Sequence, residues 1–183
     1  MKKSLSNQVL ATTKVSGRKL AECLVLGMAI FSASILFSGC KEDSKDDQEP
    51  VLDQELSKLH IAVAPFADLE KAKKAGYDTD VTGYRTQMGH HYLNAGLLDD
   101  KFEIDKPELM LYAPYGNEPM KFVAVEYAQP IKDIKNPPAV PEGFTGKDDK
   151  WEINTEFNLW TLHVWTELDN ENGVFAPHNP KLK

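Results

Sequence analysis

A chain of 183 residues with 28 acidic against 21 basic side chains has a formal charge of −7. An acidic surface repels nucleic acid and anionic lipid and favours cationic partners, so nucleic-acid binding is excluded as the expected role. The length suits one domain with a modest core, and two cysteines, Cys23 and Cys40, are too few for a disulfide scaffold.

The N-terminal segment carries Lys2, Lys3, Lys14, Arg18 and Lys19 ahead of an uncharged apolar run over 23–37, followed at once by Ser38-Gly39-Cys40. A positive region, a short apolar region and small residues at the cut form the layout of a secretory signal. The run holds 15 residues and Glu22 interrupts its start, whereas a transmembrane helix wants about 18 or more. Cleavage is therefore expected rather than a span. Ser38-Gly39-Cys40 also resembles the bacterial lipoprotein lipobox, with Phe37 where Leu is usual and Leu36 beside it. That resemblance implies removal of 1–39 as a lipoprotein signal peptide, acylation of Cys40 (palmitate-type chains) and membrane anchoring through it. Two or more acyl chains give stable anchoring where one does not. Lys41, rather than Asp, after the cysteine resembles the sorting pattern for the outer membrane, facing the periplasm or the surface.

Removal of 1–39 would leave 144 residues with 16 positive and 27 negative side chains, a charge of −11. With Cys23 gone and Cys40 acylated, no cysteine would remain for a disulfide, a thiolate metal site or a nucleophile. Residues 40–51 are polar and acidic and read as a flexible tether, leaving 52–183 as one domain.

From Leu52, apolar residues at Leu56, Leu59, Val63, Phe66, Leu69 and Ala72 recur in steps of three and four, the stripe of an amphipathic helix. Pro65 predicts a kink or break near 62–64, and Gly76 after Lys73-Lys74-Ala75 predicts the stop. Strands are expected over 86–93, with a close-approach Gly89, and over 109–113 and 120–128, joined by a loop at 114–119. A turn at Asn94 precedes them, 136–150 reads as a long irregular connection, 157–167 is the strongest strand, and the tail at 174–180 is extended. The expected fold is α+β, an N-terminal helix packed on a small antiparallel sheet.

No nucleophile elbow, phosphate loop or dinucleotide fingerprint is present. Alternation places Phe122, Ala124 and Glu126 on one strand face and Val123, Val125 and Tyr127 on the other. It also places His163 with Leu159, Thr161 and Trp165. Glu126 and His163 are thus polar members of strands that otherwise read as core. Tyr92, Tyr112, Tyr127, Trp160 and Trp165 admit a cleft for carbohydrate or lipid, or ordinary sheet packing. The segment 169–173 resembles half a calcium loop but lacks its spacing, so a surface turn is expected.

The order Ala75-Gly76-Tyr77, Met88-Gly89-x-His91-Tyr92, Pro107-Glu-x-x-x-Tyr112, Val125-Glu126-Tyr127, Leu162-His163-Val164-Trp165 and Phe175-Ala-Pro-x-Asn-Pro180 resembles a group of uncharacterised bacterial exported proteins. The resemblance spans most of 66–182 and implies His91, Glu126 and His163 as a shared polar trio, with His90 on the opposite strand face. Where this chain has His178 such proteins often carry Trp, and a cysteine that some hold before the Met-Gly motif is absent. The group brings no activity with it. Two imidazoles and a carboxylate suit a facial site for a divalent metal such as zinc or iron, a metal-free small-ligand site, or a buried hydrogen-bonded network. The functional expectation is therefore an envelope lipoprotein binding a metal or small ligand through these residues. A structural or interaction lipoprotein with the trio as a buried network is the alternative. Whether the protein is an enzyme stays open.

Overall fold

A computed structural model describes the backbone of residues 45–183 and the side chains from residue 51 onward. The expected signal segment 1–39, Cys40 and the first residues of the expected tether lie outside the described residues. No described helix is long and apolar enough to cross a membrane.

Helix α1 (Lys45–Val63) begins within the segment expected to be a flexible tether, so residues 45–51 of that segment are helical instead. Its end is set by Pro65, which has no N–H to offer the preceding turn. The chain continues as a 3-10 segment (Ala64–Ala67) and resumes as α2 (Leu69–Lys74). Asp68 caps α2 by accepting from the Glu70 N–H at 2.9 Å. At the other end Tyr77 N–H donates to Ala72 C=O and Gly76 N–H to Lys73 C=O, the paired bonds of a Schellman stop. Gly76 has φ +105°, a conformation glycine adopts without strain.

The remainder is mostly sheet, and the architecture is α+β. Six antiparallel strands, β1 (Thr79–Asp80), β2 (His90–Leu93), β3 (Leu109–Tyr115), β4 (Glu118–Pro130), β5 (Glu152–Asn154) and β6 (Leu159–Val164), lie in the order β1-β2-β3-β4-β6-β5. The expected loop at 114–119 is instead a tight hairpin turn. Tyr115 pairs with Glu118, both prolines lie within strands, and Gly116 supplies φ +61°. The expected strand at 86–93 begins only at His90. Residues 86–89 form a turn, with the φ of Gln87 at 64°. A Cβ on Gly89 would stand 2.6 Å from the Tyr112 carbonyl oxygen, so β2 approaches β3 there as only glycine permits.

One sheet face packs under the helices. Leu59, Val63 and Ala72 form a cluster with Met110, Tyr112, Val125, Tyr127, Leu162 and Val164, with Phe66 and Leu69 against it. Leu59 is fully buried there, so Leu59→Ala is expected to destabilise the domain by about 2–4 kcal/mol, read as a lower urea midpoint at unchanged slope. The opposite face carries Leu109, Leu111, Ala113, Val123, Ala124, Ala128, Trp165, Leu168 and Leu182.

The assignment of Phe122 requires correction. The register slips by one residue between Leu111↔Ala124 and Tyr112↔Phe122, leaving Val123 as a bulge. Phe122 therefore joins Val125 and Tyr127 on the helix face, while Val123 joins Ala124 on the other. Glu126 keeps its place with Ala124 because the bulge lies before them both.

The sheet curls toward the face away from the helices. Arg85, in the turn before β2, donates to Glu156, in the hairpin between β5 and β6, at 2.8 and 2.9 Å. These two segments adjoin opposite ends of the strand order, so direct contact between them requires strong curvature.

The C-terminal tail, expected to be extended, is non-helical but broken by turns at 174–175 and 180–181, and it closes one end of the concave side. Trp165 N–H donates to Val174 C=O and Trp165 Nε1 to Ala176 C=O at 2.6 Å. Asn179, fully buried, donates through Nδ2 to the Leu168 and Asp169 carbonyls, and its N–H donates to Gln87 C=O at 2.9 Å. The segment 169–173 is a surface turn stabilised by the Asn170 side chain, with Gly173 at φ +105°. Tyr92, Tyr112 and Tyr127 pack on the helix side and Trp165 against the tail. They serve as sheet packing rather than as the lining of one cleft.

Candidate metal centre

The other end of the concave side is an open groove of about 520 Å³, with His91, Glu126 and His163 at its floor. Glu126 and His163 are direct cross-strand partners on β4 and β6. His91 comes from β2, paired to Leu111 on the strand between, and the curl brings its ring over to the other two. Ala124 and Ala128 flank Glu126 along its face of β4, and their small side chains leave room above the strand.

All three residues are buried, with 3 to 5% exposure. One ligand atom from each lies within 4.8 Å of the others. His91 Nε2 is 3.7 Å from Glu126 Oε2, and His163 Nδ1 is 3.7 Å from Glu126 Oε1. The rings of His91 and His163 stand edge to face at 5.7 Å between centroids.

These separations are too long for hydrogen bonds, whose heavy atoms approach to about 2.7–3.2 Å. They suit two ligands of one ion, since bonds of about 2.0–2.2 Å opened to tetrahedral or wider angles separate the donors by roughly 3.4–3.7 Å.

Thr82 fixes the tautomer of His91. Its hydroxyl oxygen is 2.7 Å from the Gly83 carbonyl, which accepts the only hydroxyl proton, and 2.9 Å from His91 Nδ1. The hydroxyl must then accept from Nδ1–H, leaving the Nε2 lone pair directed at Glu126. A lone pair facing a carboxylate oxygen calls for a cation or a proton between them. On the far side of the trio, His163 Nε2 is buried with no partner among the described residues, and its ring stacks on Trp165 at 6.5 Å.

Burial dominates the electrostatics. Desolvation lifts the Glu126 carboxyl above its ordinary range, opposed by His91 and by the Thr161 hydroxyl. It lowers His91, against the attraction of Glu126, and pushes His163 down to about 3, with His178 adding to the effect. Both imidazoles are consequently neutral near pH 7, the form that ligates metal.

The remaining histidines are not members of the trio. His90, on the opposite face of β2, holds Asp80 at 2.7 Å, and the exposed His60 holds Glu167 at 3.3 Å. The His178 carbonyl accepts from Asn170. Thr82, Thr161, Arg85 and Glu156 were not singled out by sequence reasoning. The threonines share composition with any strand or turn, and Arg85 meets Glu156 only through the curl of the sheet. Alternation of Thr161 with His163 was the one available signal.

No family model, curated protein or solved structure matches the chain. The geometry of the site therefore carries the functional argument alone.

If the trio holds an ion, Thr82 orients one ligand, and Thr82→Val is expected to weaken zinc binding about 10–100-fold, with Thr82→Ser restoring it. Competition with a chromophoric chelator measures both.

Proposed function

We propose that the protein is an envelope lipoprotein, anchored through acylated Cys40, whose domain binds a divalent transition metal through His91, Glu126 and His163 and leaves coordination positions open to the groove. The observation that carries the metal reading is the pair of 3.7 Å His–Glu separations around a carboxylate that faces a fixed Nε2 lone pair. A closed hydrogen-bonded network would bring those atoms into bonding distance.

Two histidines and one carboxylate suit zinc or ferrous iron, and a bound ion would supply Lewis acidity at the groove floor. The chain's own residues orient the ligands, exclude water from behind them and shape an apolar approach. The anchor reading rests on the apolar run ending at Ser38-Gly39-Cys40.

Elemental analysis and calorimetric titration of the purified protein with zinc and ferrous iron test the first part. About one ion per chain is expected, with binding lost in His91→Ala while the circular dichroism spectrum is retained. A protein that takes up neither ion refutes it. Mass spectrometry of the membrane-extracted protein tests the second, and an unacylated chain or one retaining residues 1–39 refutes it.

A further inference from the structure

The groove above the proposed ion has an unusual distribution of charge and apolar surface. Its walls are largely aliphatic and aromatic: Val81, Met88, Leu93, Leu98, Phe157 and Leu159. Among its described lining residues Arg85 is the one cation, against Glu126 at the floor and Glu152 and Glu156 at the lip. Arg85 meets Glu156 through a single nitrogen, Nη2, which donates to both carboxylate oxygens. Its Nη1 and Nε groups make no hydrogen bond to the described residues, so much of the donor fork is left for another acceptor. The ion pair is itself half exposed, at 44% and 58%, and such pairs are weakly held.

We propose that the groove binds a small monocarboxylate with an apolar body, and that Arg85 is its specificity-determining residue; the inference rests on the metal reading above. A divalent ion held by two neutral imidazoles and one carboxylate keeps a net positive charge, and in a buried site that charge favours an anionic ligand. The planar guanidinium fork matches carboxylate geometry, which an ammonium would not. The apolar walls accept the body of the ligand and reject small hydrophilic anions, which would lose hydration there without compensation. Glu152 and Glu156 repel a second negative charge at the lip, which selects monoanions over dianions.

The test uses the full chain in detergent, loaded with zinc, and titrates it with benzoate, with benzamide as the uncharged control. Benzoate is expected to bind and benzamide not. Arg85→Gln should weaken benzoate about tenfold or more, Arg85→Lys should restore part of the affinity, and Glu156→Gln should tighten it several-fold by removing a competing carboxylate. None of these residues is a proposed ligand of the ion, so zinc content should stay constant across the variants. A purely structural clasp predicts the opposite for Glu156→Gln: a looser lip and weaker binding. Should Arg85→Gln fail to fold, the sign of the Glu156→Gln change decides the matter. Zinc-loaded protein that ignores benzoate, or binds it equally in Arg85→Gln, overturns this inference and leaves the metal site standing. Protein that takes up no zinc overturns both.

Discussion

Glu126→Gln is expected to abolish zinc binding while leaving the metal-free domain at least as stable as the parent at neutral pH. The amide keeps the shape of the carboxyl but removes the only negative charge in the ligand trio, and two neutral imidazoles alone hold a divalent ion poorly. The stability half follows from burial, which already disfavours the ionised carboxylate before any ion arrives. A neutral side chain of the same size escapes that cost. In the parent, saturating zinc at about 100 times its dissociation constant should add about 2.7 kcal/mol, visible as a rise in melting temperature that the variant lacks. A hydrogen-bonded network predicts another pattern, in which the variant loses roughly 1–3 kcal/mol with or without zinc because its imidazole partners are left unpaired. Thermal melts of both proteins with zinc and with chelator separate the two outcomes.

The second large effect is acid lability centred on His163. Its folded pKa is pushed down to about 3 from an ordinary 6.5, so between those values the unfolded chain binds a proton that the folded chain excludes. The stability contributed by this group therefore falls as pH drops through that window, by roughly 5 kcal/mol if the whole span is traversed. His91, also lowered, acts in the same direction. Glu126 acts oppositely: its raised pKa favours the folded state toward lower pH, until the unfolded carboxyl is protonated too. Glu108 and Asp149, raised by burial to about 7 and about 6, act with Glu126, so the histidine contribution is read against a variant that lacks it. Measured with chelator, the urea midpoint of the parent should drop between pH 7 and pH 4.5 relative to that of His163→Phe, which fills the site without titrating. Equal slopes in both proteins would show that the acid sensitivity arises elsewhere. Zinc affinity should also rise with pH above the ordinary carboxyl range, because binding displaces a proton from Glu126.

Much of the fold was legible where a single residue dictates the backbone. Pro65 ends α1 for want of an N–H, Gly76 closes α2 through a positive φ, and Gly89 admits the Tyr112 carbonyl as no other residue would. The bulge at Val123 was hidden because every residue from Phe122 to Val125 is apolar, so either register buries hydrophobic side chains. Strands β1 and β5, of 2 and 3 residues and mostly polar, carry no alternation to read. In the site, Glu126 and His163 stood out as polar residues in apolar strands, and His91 joined them through the resemblance in the order of motifs. What they lacked in the sequence was distance. Only the curl of the sheet, seen in the Arg85–Glu156 contact, carries β2 across to β6. Thr82 was invisible for the same reason, since its role exists only once Gly83 has claimed its proton.

The bond from Asn179 N–H to the Gln87 carbonyl ties the last residues of the chain to the turn that delivers His91. That turn cannot be secured until Asn179 is free to dock, and Asn179 lies 88 positions after His91. A folding chain would therefore complete its ligand set only once the sheet and the segment that follows it have come together. The ion would accordingly be taken up by the finished fold rather than act as a nucleus for it.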